Sequence, residues 1–200
     1  GLEMVARGAT LVDVGGESTR PGSEPLPEME ELRRVIPVVK ALAQSLPGRV
    51  SVDTYKARVA AEALASGVFM VNDISALRMD REMVAVVRDA GCPVILMHMQ
   101  GRPKTMQDEP TYGDVIEDLY AFFLERVNWA VDNGLREENL MIDPGMGFGK
   151  TTAHNLEILR NLESFRSLGR PVVVGASRKR FLGELTGIDV PQGRDVATTA

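Results

Sequence analysis

The apolar residues of the chain gather in short runs that alternate with longer segments of helical periodicity. The runs contain many β-branched residues, are too short for helices and do not alternate with polar residues, which is typical of strands buried on both faces. We predict six such strands: Ala9–Val14, Val50–Val52, Val68–Val71, Pro93–Met97, Leu140–Ile142 and Pro171–Val174.

The segments between the runs carry apolar residues at spacings of three and four, the pattern of a helix that buries one face. The predicted faces are Leu32, Val35, Ile36, Val39, Leu42 and Ala43; Val59, Ala60, Ala63 and Leu64; Met83, Val86 and Val87; Val115, Leu119, Phe122, Phe123, Val127 and Ala130; and Leu156, Leu159 and Leu162. Residues 2–6 and 194–197 also resemble helical segments. Strands that alternate with helices predict the α/β class with a parallel sheet.

Polar or charged residues follow every predicted strand. They are Asp13, Asp53, Asn72, Asp73, His98, Asp143 and the Ser177–Lys179 segment. A (β/α)8 barrel places its active site at the carboxyl ends of its strands, whereas an open doubly wound sheet binds ligands at a single switch point. Six polar strand ends favour the barrel. Because a barrel needs eight strands, we expect residues 1–200 to form one domain of a (β/α)8 TIM barrel that lacks its first and last strands.

Composition limits the class of function. With 200 residues, 44% hydrophobic and 26% charged, the chain reads as an ordinary globular protein with one sizeable core. The net charge of −5 argues against a nucleic-acid partner. No apolar run approaches the ~20 residues of a membrane span, and Glu3 and Arg7 interrupt any signal sequence. Cys92 is the single cysteine, which favours a reducing cytoplasm.

The first polar strand end introduces a loop suited to a charged ligand. The segment Asp13–Gly22 combines a carboxylate, two glycines, two hydroxyls and a guanidinium with a Pro-Gly turn. Ordinary loops between a strand and a helix run about 2–6 residues, and this one is longer. Gly15–Pro27 and Gln100–Tyr112 are the longest irregular stretches, so we expect both to be mobile active-site loops.

Asp53, Asn72 and Asp143 form a set of hydrogen-bonding groups on three strand ends. A carboxylate accepts two parallel N–H bonds, and an amide matches a donor and an acceptor together, so the set suits a heterocycle with an N–C–N edge. Helix capping is the structural alternative for each residue alone. Asp73 is the residue that we assign to capping or to a buried pair.

The glycine-rich segment Asp143–Thr151 resembles a phosphate-binding loop without matching one. Pro144 stands where the P-loop pattern requires glycine, and Lys150 breaks the dinucleotide-binding pattern. What remains is an acid, a close-approach turn, Phe148 to stack on a ring, and Lys150 either near the ligand or in solvent.

The two histidines and the last basic segment are interpreted locally. His98 has no second histidine or cysteine at a suitable spacing, which argues against zinc, and His154 is predicted to be solvent-exposed. Met97 suits either a flat ligand or plain packing. The segment Ser177–Arg180 predicts an anion or carbonyl site, with Lys179 on the side of Ser177 and Arg178 on the other if the backbone stays extended.

Taken in order, these motifs resemble dihydropteroate synthase. The resemblance rests on Asp13–Gly22, Ser51–Thr54, Asn72–Ile74, Leu96–Gly101, Asp143–Lys150 and Ser177–Lys179. It implies a (β/α)8 barrel transferase of folate biosynthesis, a cytoplasmic homodimer and a sulfonamide target. The implied reaction joins 6-hydroxymethyl-7,8-dihydropterin diphosphate to 4-aminobenzoate and releases pyrophosphate, with Mg2+ assisting.

The resemblance also implies site residues. Catalytic roles fall to Asp53, Lys179 and Arg20. The implied contacts with the pterin diphosphate are Thr19, Asp53, Asn72, Met97, Asp143, Phe148, Gly175 and Lys179, and those with 4-aminobenzoate are Thr19, Arg20, Pro21 and Ser177. The asparagine that binds magnesium in the family, and its final Arg and His pair, belong to segments we expect to be missing, so no metal ligand is assigned.

Two other functions remain open on the sequence. One is a pterin-binding methyltransferase domain, which uses the same barrel to pass a methyl group to a corrinoid, although the Ser18–Gly22 loop and Ser177–Lys179 favour the synthase. The other is an inactive pterin-binding module, which predicts intact pterin residues without the end strands.

Overall fold

The computed structural model describes residues 1–20 and 22–199 of the chain. Its centre is a parallel sheet in which the strands follow one another in sequence order. The strands are β1 Val12–Gly15, β2 Val50–Asp53, β3 Met70–Asp73, β4 Val94–Met97 and β5 Leu140–Asp143. This order, with a helix between successive strands, is that of consecutive units of a (β/α)8 barrel, and the sheet remains open.

Helices connect the strands and continue beyond the sheet. They are α1 Leu2–Ala6, α2 Glu28–Ser45, α3 Ala57–Ala65, α4 Met83–Ala90, α5 Val115–Asp132, α6 Thr152–Arg160, α7 Leu162–Arg166, α8 Arg180–Thr186 and α9 Asp195–Thr199. Two 3-10 turns occupy Glu137–Asn139 and Pro191–Arg194. Among the described residues, no helix combines the length and the apolar character that crossing a bilayer requires.

The core lies between the sheet and the helices that cover one of its faces. Val52 and Val71 are fully buried in neighbouring strands, and Val39 and Phe123 are fully buried on α2 and α5. The predicted helix faces of α2, α3, α4 and α5 are therefore confirmed. The face predicted for the fifth helix is confirmed in part, because Leu159 and Leu162 pack against the core. The fully buried apolar residue of the helix is Ile158, and the helix ends at Arg160, so that Leu162 belongs to α7.

A second, smaller apolar cluster lies at the carboxyl ends of the strands. It contains Ile74, Met97, Met99 and Met106, and Tyr55 and Phe148 pack against it. Met97 is 4% exposed, so its side chain forms part of the floor beneath the polar strand ends.

The sixth predicted strand, Pro171–Val174, is wrong. Only Val172 forms a bridge, to Ile142 on β5, and Val174 is 38% exposed. Two backbone bonds secure the pairing: Ile142 N–H donates to the Pro171 oxygen over 3.0 Å, and Val173 N–H to the Ile142 oxygen over 2.8 Å. Among the described residues, segment 171–174 lies beside β5 on one side and has no strand on the other. The pairing therefore stops after one bridge, and the sheet ends at β5.

The third strand begins later than predicted. Val68 N–H donates to the Ala63 oxygen of α3, so this residue still belongs to the helix end. Regular pairing starts at Met70 and continues to Asp73. Asp53, Asp73 and Asp143, predicted to follow their strands, are accordingly the last residues of β2, β3 and β5, where the ladder itself fixes their positions.

Candidate active site

The register of the parallel ladder brings the predicted ring-binding residues together. Asp53 on β2 pairs with Asn72 on β3, and Met97 on β4 pairs with Asp143 on β5. Neighbouring strands lie about 4.8 Å apart, so side chains at paired positions on the same face are immediate neighbours. The sheet therefore presents carboxylates and an amide along one edge.

Asp13 orients this edge from β1. Its carboxylate accepts a 2.9 Å hydrogen bond from Asn72 Nδ2 and a 2.6 Å bond from Ser51 Oγ. The bond from Asn72 Nδ2 fixes the plane of its side-chain amide. The side-chain oxygen Oδ1 and the second N–H of Nδ2 have no partner among the described residues. The sequence predicts Asp13 to be the carboxylate of a loop suited to a charged ligand, and in the structure it is the residue that positions Asn72.

Asp53 lies in an unfavourable place for a negative charge. Burial, together with the charges of Asp13 and Glu31, raises its pKa from 3.8 to about 8, while the charge of Lys179 opposes the rise. A half-buried carboxyl with such a pKa exchanges its proton near neutral pH. The arrangement is suited to a ligand that brings positive charge or a pair of N–H donors.

The loop after β5 approaches β4 closely enough to require glycine. Asp143 accepts a 2.7 Å bond from Gly145 N–H. Gly145 has φ +67, and a Cβ there would collide with the backbone oxygen of His98. Burial raises the pKa of Asp143, whereas the Gly145 bond and the charge of Lys179 lower it in part.

Lys150 ends the same loop in a buried position. Its Nζ lies 2.9 Å from His98 Nδ1 and donates to the Phe148 oxygen over 3.0 Å. Burial lowers the pKa of Lys150 to about 7, and burial together with the Lys150 charge lowers that of His98 to about 2. The alternative of a solvent-exposed Lys150 is therefore wrong. His98 is a neutral partner of this lysine.

Lys179 reaches the site from the segment that follows the Val172 bridge. Its Nζ lies 4.4 Å from the centre of the Phe148 ring. Burial lowers its pKa, and the charges of Asp143 and Asp53 oppose that fall. Arg178 has φ +54, so the extended backbone predicted here is wrong, yet Arg178 does point elsewhere: its Nε donates to Asp195 over 2.6 Å.

A cavity of about 1010 Å³ opens beside Lys179. The predicted residues that line it are Thr19, Arg20, Phe148, Ser177 and Lys179. Asp53, Asn72 and Asp143 are not part of this lining; Lys179 links the two regions, because it lines the cavity and its charge acts on both acids. Gly175 is exposed and stands apart, and Pro21 lies outside the described residues.

The two long loops meet above the site. Gly22 N–H donates to the Pro103 oxygen over 3.1 Å, and Lys104 pairs with Glu24 over 2.6 Å. The second loop, residues 100–112, also contacts the glycine loop, where Gln107 Nε2 donates to the Gly147 oxygen over 2.5 Å. These contacts join the polar strand ends to the loop that carries Thr19 and Arg20.

Other residues occupy roles that the sequence had left open or missed. Asp73 accepts bonds from the N–H groups of Ser75 and Leu77 in the turn that follows β3, whereas α4 begins only at Met83, so Asp73 caps a turn and not the helix that was predicted. His154 is half-buried and caps α6 with Thr151, so the prediction of a solvent-exposed residue is wrong. Asn155 was missed: it lines the cavity and holds Gly147 N–H over 2.8 Å.

The described residues contain no group of three or more His, Cys, Asp or Glu side chains that could hold a metal ion. The acids of the described residues therefore do not by themselves fit a magnesium site.

Parallel strands in sequence order, with polar residues at their carboxyl ends and a cavity linked to them through Lys179, are typical of an α/β enzyme of the barrel class. A family model described as "Pterin binding enzyme" matches residues 1–200. The chain is 44% identical over 197 residues to a dihydropteroate synthase of Synechocystis sp., covering 98% of this chain and 68% of that protein.

Solved structures give the same answer. The Yersinia pestis dihydropteroate synthase, in complex with a sulfonamide drug, has a TM-score of 0.95 at 43% identity over 98% of this chain and 70% of its own. The Xanthomonas albilineans enzyme, in complex with 7,8-dihydropteroate, has a TM-score of 0.86 at 42% identity over 98% and 69%. The chain belongs to the pterin binding enzyme family, and it spans about two thirds of the length of these dihydropteroate synthases.

Proposed function

We propose that the chain carries the active site of a dihydropteroate synthase. The reaction joins 6-hydroxymethyl-7,8-dihydropterin diphosphate to 4-aminobenzoate and gives 7,8-dihydropteroate and pyrophosphate. The observation that carries the proposal is the juxtaposition of two regions: the Asp53–Asn72 and Met97–Asp143 pairs at the strand ends, and the cavity lined by Lys179. In this proposal, residues 1–200 act as one pterin-binding domain.

The strand ends are the pterin side of the proposed site. The N–C–N edge of the ring donates two N–H bonds to a carboxylate of Asp53 or Asp143, while Asn72 offers its amide. Met97 lies beneath the ring and Phe148 stacks beside it. Lys179 favours the ionised forms of both acids, and Gly175 remains assigned to this side by resemblance alone.

The cavity is the aminobenzoate side. Arg20 and Ser177 line it and, with Pro21, frame the aminobenzoate, whereas Thr19 serves both substrates. A guanidinium is suited to the carboxylate of aminobenzoate because it offers a planar fork of N–H donors. We propose that sulfonamides compete for this side of the site, in line with the sulfonamide complex of the Yersinia pestis enzyme.

The proposed chemistry needs no protein nucleophile. The C–O bond between the pterin methylene and the diphosphate breaks, and its electron pair leaves with pyrophosphate. Positive charge develops on the methylene and spreads into the ring, where the carboxylates of Asp53 and Asp143 stabilise it. The aromatic amine then forms the C–N bond and loses a proton.

Magnesium, the homodimer and the cytoplasmic location are parts of this proposal that rest on the resemblance. Magnesium would assist the departure of pyrophosphate, and the acids of the described residues offer no ligand cluster for it.

The test is pyrophosphate release from the pterin diphosphate, measured with and without 4-aminobenzoate. Release that depends on aminobenzoate supports the synthase. Pterin binding without release would instead indicate an inactive pterin-binding module, and methyl transfer to a corrinoid without pyrophosphate would indicate the methyltransferase. Absence of pterin binding would contradict the assignment of Asp53, Asn72 and Asp143 as well.

A further inference from the structure

The loop between β1 and α2 is closed at its base by a side chain. Glu17 accepts a 2.9 Å hydrogen bond from the Leu26 N–H, nine residues further along the chain. Within the loop the described backbone makes one turn, in which Ser23 N–H donates to the Arg20 oxygen over 3.0 Å. Residues 18–20 and 22–25 thus belong to a compact surface loop whose ends lie together, and these residues form little regular structure of their own.

One lysine holds both ends of this loop. Lys56 Nζ donates to Glu17 Oε2 over 2.6 Å, to the Leu26 oxygen over 2.8 Å and to Glu31 Oε2 over 2.5 Å. These bonds use all three N–H donors of the ammonium group. We refer to Lys56, Glu17, Leu26 and Glu31 together as the Lys56 clamp.

The clamp is buried and its remaining acceptors are occupied. The side chains of Lys56, Glu17 and Glu31 are 13%, 7% and 1% exposed. Tyr55 Oη donates to Glu17 Oε1 over 2.8 Å, and Thr54 Oγ1 to Glu31 Oε1 over 2.7 Å. Burial alone would lower the pKa of Lys56, but the bonds to Glu17 and Glu31 outweigh it and the pKa is raised. Lys56 therefore stays charged.

The clamp lies between the two halves of the proposed site. Lys56 follows Asp53 by three residues, directly beyond the end of β2. Glu17 precedes Thr19 by two residues, and Thr19 and Arg20 line the cavity beside Lys179. The loop starts tightly against α2, because a Cβ at Gly16 would lie 2.7 Å from Val35 Cγ2.

We propose that the Lys56 clamp is a positioning device: it docks loop 16–27 on the end of β2, so that Thr19 and Arg20 face the aminobenzoate side of the cavity. None of its charged groups needs to touch either substrate. The identity of the substrate rests on the proposed function, whereas the docking of the loop does not.

The variant Glu17→Ala tests the clamp with the least damage to the fold. Removing Lys56 would leave two buried carboxylates without a cation, whereas removing Glu17 leaves Lys56 and Glu31 as a balanced pair. We expect amide hydrogen exchange within residues 18–26 to rise at least tenfold, with exchange in β2, β3 and β4 unchanged. In the pyrophosphate-release assay we expect KM for 4-aminobenzoate to rise at least tenfold, while KM for the pterin diphosphate and kcat change less than threefold.

Two controls separate positioning from general destabilisation. Glu17→Gln keeps an oxygen for Leu26 N–H and Lys56, and its amide donates to the Tyr55 hydroxyl, so both readouts should return to within threefold of the wild type. Glu163→Ala removes an acid of α7 whose side chain is 91% exposed and that takes no part in the loop contacts, and it should leave both readouts within twofold.

Unchanged exchange in residues 18–26 of Glu17→Ala would overturn the proposal, and so would an equal rise of KM for both substrates. If Glu17→Ala does not fold, Tyr55→Phe removes a single bond to Glu17 and should raise KM for aminobenzoate about threefold; no change there would overturn the proposal equally. If the wild type shows no aminobenzoate-dependent turnover, the proposed function fails, and hydrogen exchange still decides whether the clamp docks the loop.

Discussion

The two halves of the site are held in place by different means. The acids and the amide of the strand ends belong to β1–β5, where a continuous ladder of parallel pairing fixes Asp53 beside Asn72 and Asp143 beside Met97. Lys179 and Ser177 belong to residues 171–199, which join the sheet through the single bridge of Val172 to Ile142.

In the second region, residues 171–199, side-chain hydrogen bonds and ion pairs hold the backbone in place instead of strand pairing. Arg194 is buried and donates to the backbone oxygens of Ile188, Asp189, Arg178 and Lys179 over distances between 2.5 and 3.4 Å. Arg178 pairs with Asp195. The ring-binding geometry is therefore set by the register of the sheet, whereas the position of the Lys179 cation depends on a few long side chains.

The largest expected effect comes from removing that cation. Lys179→Ala should lower kcat by about 10²–10³-fold or more, because the ammonium favours the ionised forms of Asp53 and Asp143, the carboxylates that stabilise the positive charge of the ring. The exposed Lys40→Ala serves as the matched control and should retain the wild-type rate. Near-UV and far-UV circular dichroism should show both variants folded. A wild-type rate for Lys179→Ala would mean that the ammonium takes no part in the reaction.

The next effect addresses the support of the second region. Arg194→Ala should destabilise the chain by about 3 kcal/mol, since its charge-assisted bonds to part-buried backbone oxygens are worth about 1.5–3 kcal/mol each. Turnover should fall about tenfold. Arg194→Lys should not rescue it, because an ammonium lacks the fork that reaches several carbonyls.

Hydrogen exchange measured over residues 177–194 identifies the origin of the Arg194 effect. Exchange should rise in this segment and stay unchanged in β1–β5. Arg166→Ala, whose side chain is 76% exposed, is the control and should leave stability and exchange as they are. A uniform rise over the whole chain would mean that the two regions unfold as one unit.

The same substitution made in both regions sharpens the contrast. Val52→Ala removes a fully buried side chain from the ladder and should cost about 2 kcal/mol in the free energy of unfolding. Val174→Ala, at a position 38% exposed beyond the bridge, should cost less than about 0.5 kcal/mol. Urea denaturation checks both values. Equal costs would show that the edge is as well packed as the interior.

The smallest effect depends on pH and concerns Asp53. Its pKa is about 8 in the folded chain and about 3.8 in the unfolded chain, so between these values the folded state binds more protons. Stability contributed by Asp53 is therefore lost as the pH rises through this window. Asp53→Asn carries no charge at any pH, so its melting temperature should exceed that of the wild type by about 2–4 °C at pH 8 and by much less at pH 4, although turnover falls.

A matched acid tests the Asp53 prediction. Asp89 is 69% exposed, and Asp89→Asn should shift the melting temperature equally little at both pH values. A difference between Asp53→Asn and the wild type that does not grow with pH would mean that Asp53 ionises at its ordinary pKa.

The same division decides what could be predicted from the sequence. Asp53, Asn72 and Asp143 were found because short buried strands have a recognisable pattern and parallel strands end at the same edge of a sheet. Pro171–Val174 has the same pattern, but an apolar composition predicts only that a segment can be buried. It does not predict how many strands will pair with that segment. The sixth strand was therefore predicted where a single bridge stands.

Long-range partners were the other limit. A lysine after a run of glycines has no local feature that separates burial from exposure, and Lys150 is buried only because the fold brings His98 beside it. The sequence predicts that Arg178 points away from Lys179 because the backbone is extended, but Arg178 has φ +54 and its backbone is not extended. Its pairing with Asp195, seventeen residues away, has no periodic signal in the sequence.

The contacts of loop 100–112 couple the binding of one proposed substrate to the binding of the other. Loop 100–112 is bonded to Gly22 on one side and to the glycine loop at Gly147 on the other. A ligand that orders one of these two neighbours therefore also restricts the other, through loop 100–112. Coupling of this kind is reciprocal: if a bound pterin tightens the binding of aminobenzoate by a given factor, aminobenzoate must tighten the binding of the pterin by the same factor. We therefore expect the affinity of the proposed site for either substrate to depend on whether the other is bound, and an inhibitor of one side to bind with a different affinity when the other side is filled.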